Sequence, residues 1–312
     1  VKERILVTGG GSSVCKELKN ILFDDKHADV TYVNKSDADL ILQSDVNYIF
    51  QKYRPTRVIH LAAKVGGILD NIKNPLEFYD DNVHMNINML SFSRLFGVKR
   101  FTGILSTCIY PKNPPSYPIT EDMMHLGPPE DSNFGYGYAK RMMGVHIDLL
   151  NKTMPKGYRY NYIIPCNLYS KPSLDDNMES MHFINALLIK IIKAKLENKN
   201  EIELMGDGTP RRQFMYSGDL ANIIFNIVKR DIAENFNVCP DYDMSINEIA
   251  EKILLATGNK HMKIKYDTSK PNGIIKKNVS NKKFKTLFPD YNFASLEYET
   301  RCMYNSLLKE IE

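Results

Sequence analysis

No apolar run in this 312-residue chain approaches the roughly 20 residues of a membrane span, so no bilayer-crossing helix is expected. A basic block is also missing. The 41 Lys and Arg and 37 Asp and Glu are scattered along the chain and leave a formal charge of +4. That balance argues against nucleic acid or a membrane surface as partner and stays compatible with a phosphorylated small molecule. Cysteine is sparse: Cys15, Cys108, Cys166, Cys239 and Cys302 are widely spread, odd in number and without C-x-x-C spacing. This excludes a disulfide frame, gives no sign of a metal site, and reads as reduced thiols in a cytoplasmic protein. No internal repeat or low-complexity tract occurs. "VKERILVTGG" opens directly on a strand pattern and does not read as a signal peptide. Hydrophobic residues make up 43% and charged residues 25%, enough to bury one large domain or two unequal ones.

The first half alternates short apolar runs with helical spacing, the pattern of parallel strands joined by crossover helices. "RILVTGG" stops at glycines and passes into "VCKELKNIL". "DVTYVNKSDADL" reads as a second strand and its exit loop, and "RVIHLAA" as a third. "KVGGILDNIKNP" reads as a loop, "DNVHMNINMLSFSRLFG" as a helix closed by Gly97, and "RFTGILST" as a fourth strand. A helix over "NFGYGYAKRMMGVHIDLLNK" and a fifth strand "YRYNYIIP" follow. Right-handed connections then give an α/β fold, a Rossmann-type doubly wound parallel sheet with its loops at the strands' carboxyl ends. After Pro165 loops lengthen and the alternation breaks. "SINEIAEKILLATG" still marks a helix, with a capping box from Ser245 to Glu248 and Gly258 as its stop. The expected division is a sheet domain over 1–164, rejoined at about 214–240. A smaller α/β lobe would hold 165–213 and 241–312.

"VTGGGSSVC" suits a tight turn onto a helix amino terminus, the geometry that receives a pyrophosphate on backbone N–H groups. In the usual G-x-x-G-x-x-G pattern Gly9 fills the first place, while Ser12 and Cys15 stand at the second and third. Both are small, and Gly10 and Gly11 keep the turn pliable; any strand–turn–helix would also read this way. An acid at the end of the second strand would bind a ribose 2′-hydroxyl. Here Asn34 and Lys35 occupy that place, which favours NADP over NAD. Lys35 also fits a solvated surface charge, and Asp39 is placed to address the adenine.

Tyr136 and Lys140 are four apart and share one helix face. An ammonium beside a phenol is expected to lower the tyrosine pKa and make it an acid usable at neutral pH. Tyr138 is the rival tyrosine, but only Tyr136 has the spacing to Lys140. In "GILSTCIYP" the hydroxyl of Ser106 and the thiol of Cys108 stand two residues apart where a buried strand runs out. Either the positions are merely small, or two proton-handling groups face one pocket.

"HLAAKVGGI", "NVHMN", "LSTCIYP", "GPPEDSNFGYGYAKRM", "GDGTPRRQF" and "NGIIKKNVSN" together resemble the GDP-L-fucose synthase family of the extended short-chain dehydrogenases, over nearly the full length. The resemblance implies NADPH-dependent 3,5-epimerisation and 4-reduction of a GDP-linked 4-keto-6-deoxy sugar. It implies Ser106, Tyr136 and Lys140 as the reductase triad, with Cys108 and His182 as the epimerisation base and acid. Cofactor contacts are expected from Thr8, Gly9, Gly11, Ser12, Ser13 and Val14, and from Asn34, Lys35 and Asp39. Leu61, Ala62 and Ala63 would add to them, with Tyr136, Lys140, Pro165, Asn167 and Leu168. Lys190, Arg212 and Lys277 would bind the nucleotide sugar, Arg212 as a guanidinium fork on phosphate. A homodimer is implied, paired through helices over 82–96 and 135–151, where Met85, Met89, Met142 and Met143 suit such a face and equally suit a plain core role. The chain departs from the family at "SKPSLDDN" ahead of His182 and at Lys190, where the family has arginine.

A ketone at carbon 4 acidifies the protons on carbons 3 and 5, so a thiolate and an imidazole on opposite faces can invert both centres. Donors on the ketone oxygen then serve the enolate and the later reduction alike. The nearest rival is a paralogue that acts on another GDP- or dTDP-linked 4-keto-6-deoxy sugar, reducing it with or without epimerisation. The altered loop before His182 leaves it open; three more distant rivals fit less well. A 4,6-dehydratase would carry acids beside Thr107, and a 4-epimerase would lack Cys108. A non-catalytic scaffold would have no use for all five reactive side chains.

Overall fold

The computed structural model describes residues 2–22, 28–175, 178 and 181–311. Part of the "SKPSLDDN" departure falls on residues 176 and 177, outside the described residues.

The first half runs β1 (Glu3–Thr8), α1 (Ser13–Leu22), β2 (Ala28–Val33), α2 (Gln43–Tyr53), β3 (Arg57–His60), α3 (Ile68–Lys73), α4 (Pro75–Leu95), β4 (Arg100–Ile104), α5 (Phe134–Thr153) and β5 (Arg159–Pro165). The second runs β6 (Asn167–Tyr169), α6 (Phe183–Leu196), β7 (Glu201–Met205), β8 (Arg211–Arg212), β9 (Phe214–Tyr216), α7 (Ser217–Arg230) and β10 (Phe236–Val238). After these come β11 (Met244–Ser245), α8 (Ile246–Ala256), β12 (Lys263–Asp267), β13 (Lys276–Lys277), α9 (Lys282–Leu287) and α10 (Leu296–Ile311).

The main sheet is parallel throughout, in the order β10-β5-β4-β3-β1-β2. Helices cover both faces, so inner strands bury consecutive apolar residues and do not alternate: Ile5, Leu6 and Val7, like Val58 and Ile59, are all buried. Because all strands point one way, every exit loop reaches one edge of the sheet. Gly9 (φ +73°) makes the first exit possible, since a Cβ there would lie 2.8 Å from the Ala62 nitrogen.

Two buried cores are present. One lies around the six-stranded sheet, and the other gathers α6, α8, α10, β7 and Phe214. Val279, Phe284 and Phe288, expected in the smaller lobe, pack into the first core. Local expectations differ from the structure in two places. The expected loop "KVGGILDNIKNP" contains α3, a six-residue helix too short to show a period, whose Asn71 side chain donates to the Gly66 and Gly67 carbonyls. The helix expected from residue 82 begins at Pro75, a residue suited to a first turn. Of the methionines that suited a subunit face or a core role, Met89 and Met143 take the core role, buried where α4 and α5 meet each other and the sheet. The capping box of α8 forms as its spacing predicts.

Candidate active site

The carboxyl edge of the sheet and the smaller lobe enclose one cavity of about 1340 Å³. That exceeds the usual small-molecule pocket and has room for two ligands side by side. At its sheet end the wall is made by Gly9, Gly11, Ser12, Ser13 and Val14, then Asn34, Lys35 and Asp39, then Leu61, Ala62 and Ala63. Pro165, Asn167 and Leu168 complete that end. Ser12, in a glycine place, caps α1 by accepting from the Cys15 N–H at 3.2 Å. Cys15, in the other, is fully buried and its thiol is pushed up to about 11 by burial, so it packs as a neutral group. The first turn of α1 holds no acid to compete for an anion. Lys35 is 81% exposed and stands 3.5 Å from Asp39, whose other oxygen accepts from the Ile41 N–H. The side-chain oxygen of Asn34 is buried with no partner among the described residues, at the place where a ribose would meet β2. These features fit a dinucleotide carrying an extra phosphate.

Thr8 needs correction. It does not line the cavity but lies fully buried behind it, its hydroxyl 2.8 Å from His60 Nδ1. His60 Nε2 lies 3.1 Å from the Asn86 side-chain oxygen, an acceptor, so the ring proton must sit on Nε2. Thr8 therefore donates to Nδ1 while accepting from the Ala62 N–H, and Asn86 in turn donates to the Ala139 carbonyl. Burial, then the Lys140 charge, hold the His60 pKa down at about 3, so this chain from β1 to α5 stays neutral.

At the end of β4 the backbone turns into a short 3-10 turn over Thr107–Ile109, capped by Ser106, whose hydroxyl accepts from the Cys108 N–H. Ser106 and Cys108 both face the cavity, and so do Tyr136 and Lys140 from the first turns of α5. Gly137 allows this approach: a Cβ there would lie 2.6 Å from the Cys108 carbonyl oxygen. Lys140 is buried, donates to the Ile104 carbonyl at 2.8 Å and lies 5.9 Å from the centre of the Tyr136 ring. The expected lowering of the Tyr136 pKa is not found. Burial raises it, the neighbouring Cys108 adds to that, and a hydrogen bond with Ser106 only partly offsets them. Burial also pushes Lys140 down to about 7, which thins the charge that would have favoured phenolate. Tyr136 thus keeps its proton at neutral pH, the state from which a donor acts.

From the smaller lobe His182, at the amino terminus of α6, brings its ring to the same cavity. The ring is open to the cavity but walled by protein. Desolvation by those walls lowers its pKa. Arg212 on β8 and Lys190 on α6 supply cations. Burial lowers Arg212 to about 10 against the pull of Cys108 and Glu130, and lowers Lys190, which donates to the Glu203 carbonyl at 2.6 Å. Lys277, expected at the nucleotide, has its ammonium 3.5 Å from the Cys108 sulfur. Among the described residues no group of three or more His, Cys, Asp or Glu is placed to hold a metal ion.

Three side chains here were missed in the sequence. Asn133 donates to the Cys108 sulfur at 3.2 Å; its only signal is a place one helical turn before Tyr136. Glu130 lines the cavity facing Arg212. Arg141, beside Lys140, is buried and braces the turn by donating to the Ile109 carbonyl at 2.9 Å and the Gly127 carbonyl at 2.9 Å.

Residues 5–239 match the NAD dependent epimerase/dehydratase family. The chain is 38% identical over 303 residues to a GDP-L-fucose synthase of Dictyostelium discoideum, covering 95% of this chain and 92% of that one. It is 34% identical to a GDP-L-colitose synthase of Yersinia pseudotuberculosis, over 94% and 92% of the two. A crystal structure of a GDP-L-fucose synthetase from Naegleria fowleri bound to NADP superposes with a TM-score of 0.86 at 33% identity, over 100% of this chain and 96% of that one.

Proposed function

This chain belongs to the NAD dependent epimerase/dehydratase family, among the GDP-L-fucose synthases, and from that premise we propose that it converts GDP-4-keto-6-deoxy-D-mannose to GDP-L-fucose with NADPH. One observation carries the reading: a thiol, a hydroxyl and a phenol converge at the end of β4 in a single cavity that an imidazole from α6 also lines.

The α1 amino terminus, Asn34 and Lys35 hold the dinucleotide, which supplies a hydride when bound. Lys190 and Arg212 take the diphosphate of the sugar nucleotide, with Lys277 at its sugar end. Ser106 and Tyr136 donate to the carbon-4 oxygen, so the electron pair released when a neighbouring C–H breaks is held as an enolate. Cys108 takes that proton on its sulfur, and His182 returns one on the opposite face. Tyr136 finally gives its proton to the oxygen at carbon 4, with Lys140 beside it to take up the change of charge.

The protein, NADPH and GDP-4-keto-6-deoxy-D-mannose incubated in heavy water should give deuterium at carbons 3 and 5 together with NADPH loss. Cys108→Ser should still reduce the ketone but lose deuterium uptake by about 10²–10⁴-fold, since a serine hydroxyl does not ionise at neutral pH. Tyr136→Phe should lose reduction while exchange persists. NADPH loss without deuterium in the unaltered protein sinks the epimerase half. The GDP-L-colitose synthase relative favours a second reading, another GDP-linked 4-keto sugar as substrate. A faster turnover of such a sugar in the same assay would select it.

A homodimer and a cytoplasmic site of action belong to the same proposal. Met142, Val145 and Leu149 on α5 and Ile87 and Leu95 on α4 are exposed apolar side chains on two helices that pack together. The five cysteines are all free, which suits a reducing compartment.

A further inference from the structure

We propose that Asn133 and Lys277 are catalytic residues of the proton-transfer half-reaction, gripping the Cys108 sulfur from two sides as a thiolate. The proposal rests on the reading of Cys108 as the base. Asn133 Nδ2 lies 3.2 Å and Lys277 Nζ 3.5 Å from that sulfur, both within hydrogen-bond reach for sulfur. A lysine ammonium only donates, and the amide turns its donor side inward. The other end of that amide, Oδ1, is buried without a partner among the described residues. Two donors and no acceptor set against the sulfur form a surrounding that suits an anion.

The two donors arrive from different parts of the fold. Asn133 closes the 3-10 turn ahead of α5 and is tied in sequence to Tyr136. Lys277 sits on β13, paired with Arg212 on β8 of the smaller lobe, and Arg212 also feels the charge of Cys108. The thiolate pocket is therefore completed only when the lobe carrying the nucleotide's cations lies against the sheet. In the step itself a sulfur lone pair forms the S–H bond. The C–H pair moves to the carbon-4 oxygen, and the negative charge moves with it, away from Lys277 toward Ser106 and Tyr136.

The test needs no substrate. The full chain is treated with iodoacetamide and the labelling rate of Cys108 is read by mass spectrometry of its peptide, with exposed Cys302 as internal control. At pH 7 Lys277→Met and Asn133→Asp should each slow Cys108 labelling about ten-fold, while Cys302 is unchanged. Lys277→Arg, which keeps the charge, should stay within about two-fold. At pH 10, where thiols ionise without help, the differences should vanish. Equal Cys108 rates at pH 7 in the unaltered protein and in Lys277→Met would overturn the proposal. So would a slowing undiminished at pH 10, which marks a blocked path. Lys277→Met decides alone if Asn133→Asp does not fold. The role of Cys108 as base is judged separately, by deuterium uptake in Cys108→Ser.

Discussion

Gly137→Ala isolates the geometry that joins Tyr136 to the turn at Ser106 and Cys108. A Cβ at Gly137 would stand 2.6 Å from the Cys108 carbonyl oxygen and 2.9 Å from the Pro129 Cβ, and the first of these is backbone. Ordinary contact begins near 3.4 Å, so α5 and the turn must separate by about 0.8 Å. A displacement approaching 1 Å in a catalytic constellation costs about 10²-fold in rate. Overpacking at such a site costs about 1–3 kcal/mol in stability, against a gain of up to about 1 kcal/mol from replacing a helical glycine by alanine. Gly144, seven residues on in the same helix, is the control. A Cβ there meets only side chains, Leu105 Cδ1 at 3.3 Å and Tyr162 Cε1 at 3.5 Å, which can give way. Steady-state NADPH oxidation and urea unfolding should show Gly137→Ala slowed about 10²-fold in kcat, and Gly144→Ala within about three-fold of the unaltered protein. If Gly137→Ala keeps full kcat, the close approach of α5 does not set the position of Tyr136, and the reasoning fails.

Lys35→Ala should raise the KM for NADPH more than it lowers kcat and leave NADH kinetics nearly unchanged, because the exposed ammonium offers binding that does not change during reaction; a matching loss with NADH would contradict this. Lys140 loses its proton near pH 7 when folded, against 10.5 in the unfolded chain. Between those values the unfolded state binds more protons, so this group makes stability rise with pH. Urea midpoints at pH 7 and pH 9 should therefore rise more in the unaltered protein than in Lys140→Met, and parallel changes would refute the assignment. Leu149→Glu, on the exposed face of α5, should shift light scattering from dimer to monomer without loss of fold; a monomer before substitution rules the interface out.

Much of the scaffold was open to reading because it depends on short-range spacing. β-branched runs ending at glycine, the capping box at Ser245 and Glu248, and the four-residue step from Tyr136 to Lys140 are set by backbone geometry within one or two turns. Such spacing carries no sign of burial. The same residues that share a helix face were expected to lower the Tyr136 pKa, yet desolvation of both side chains reverses the direction. Met89 and Met143 read equally as a subunit face or as core, and only the packing of α4 on α5 and the sheet shows them enclosed. Thr8 reads as a cofactor contact by position, while its hydroxyl turns inward to His60 from a strand 52 residues away.

The sequence by itself determined the parallel α/β order, the glycine turn after β1 and the helix that carries Tyr136 and Lys140, because neighbouring residues along a chain cannot avoid each other. Only the tertiary structure decided what surrounds the Cys108 sulfur. Lys277 lies 169 residues from Cys108, and a contact at that separation exists only because β8 and β13 pair and the smaller lobe closes on the sheet edge. No local periodicity encodes that distance. It follows from how two separately buried cores settle against each other.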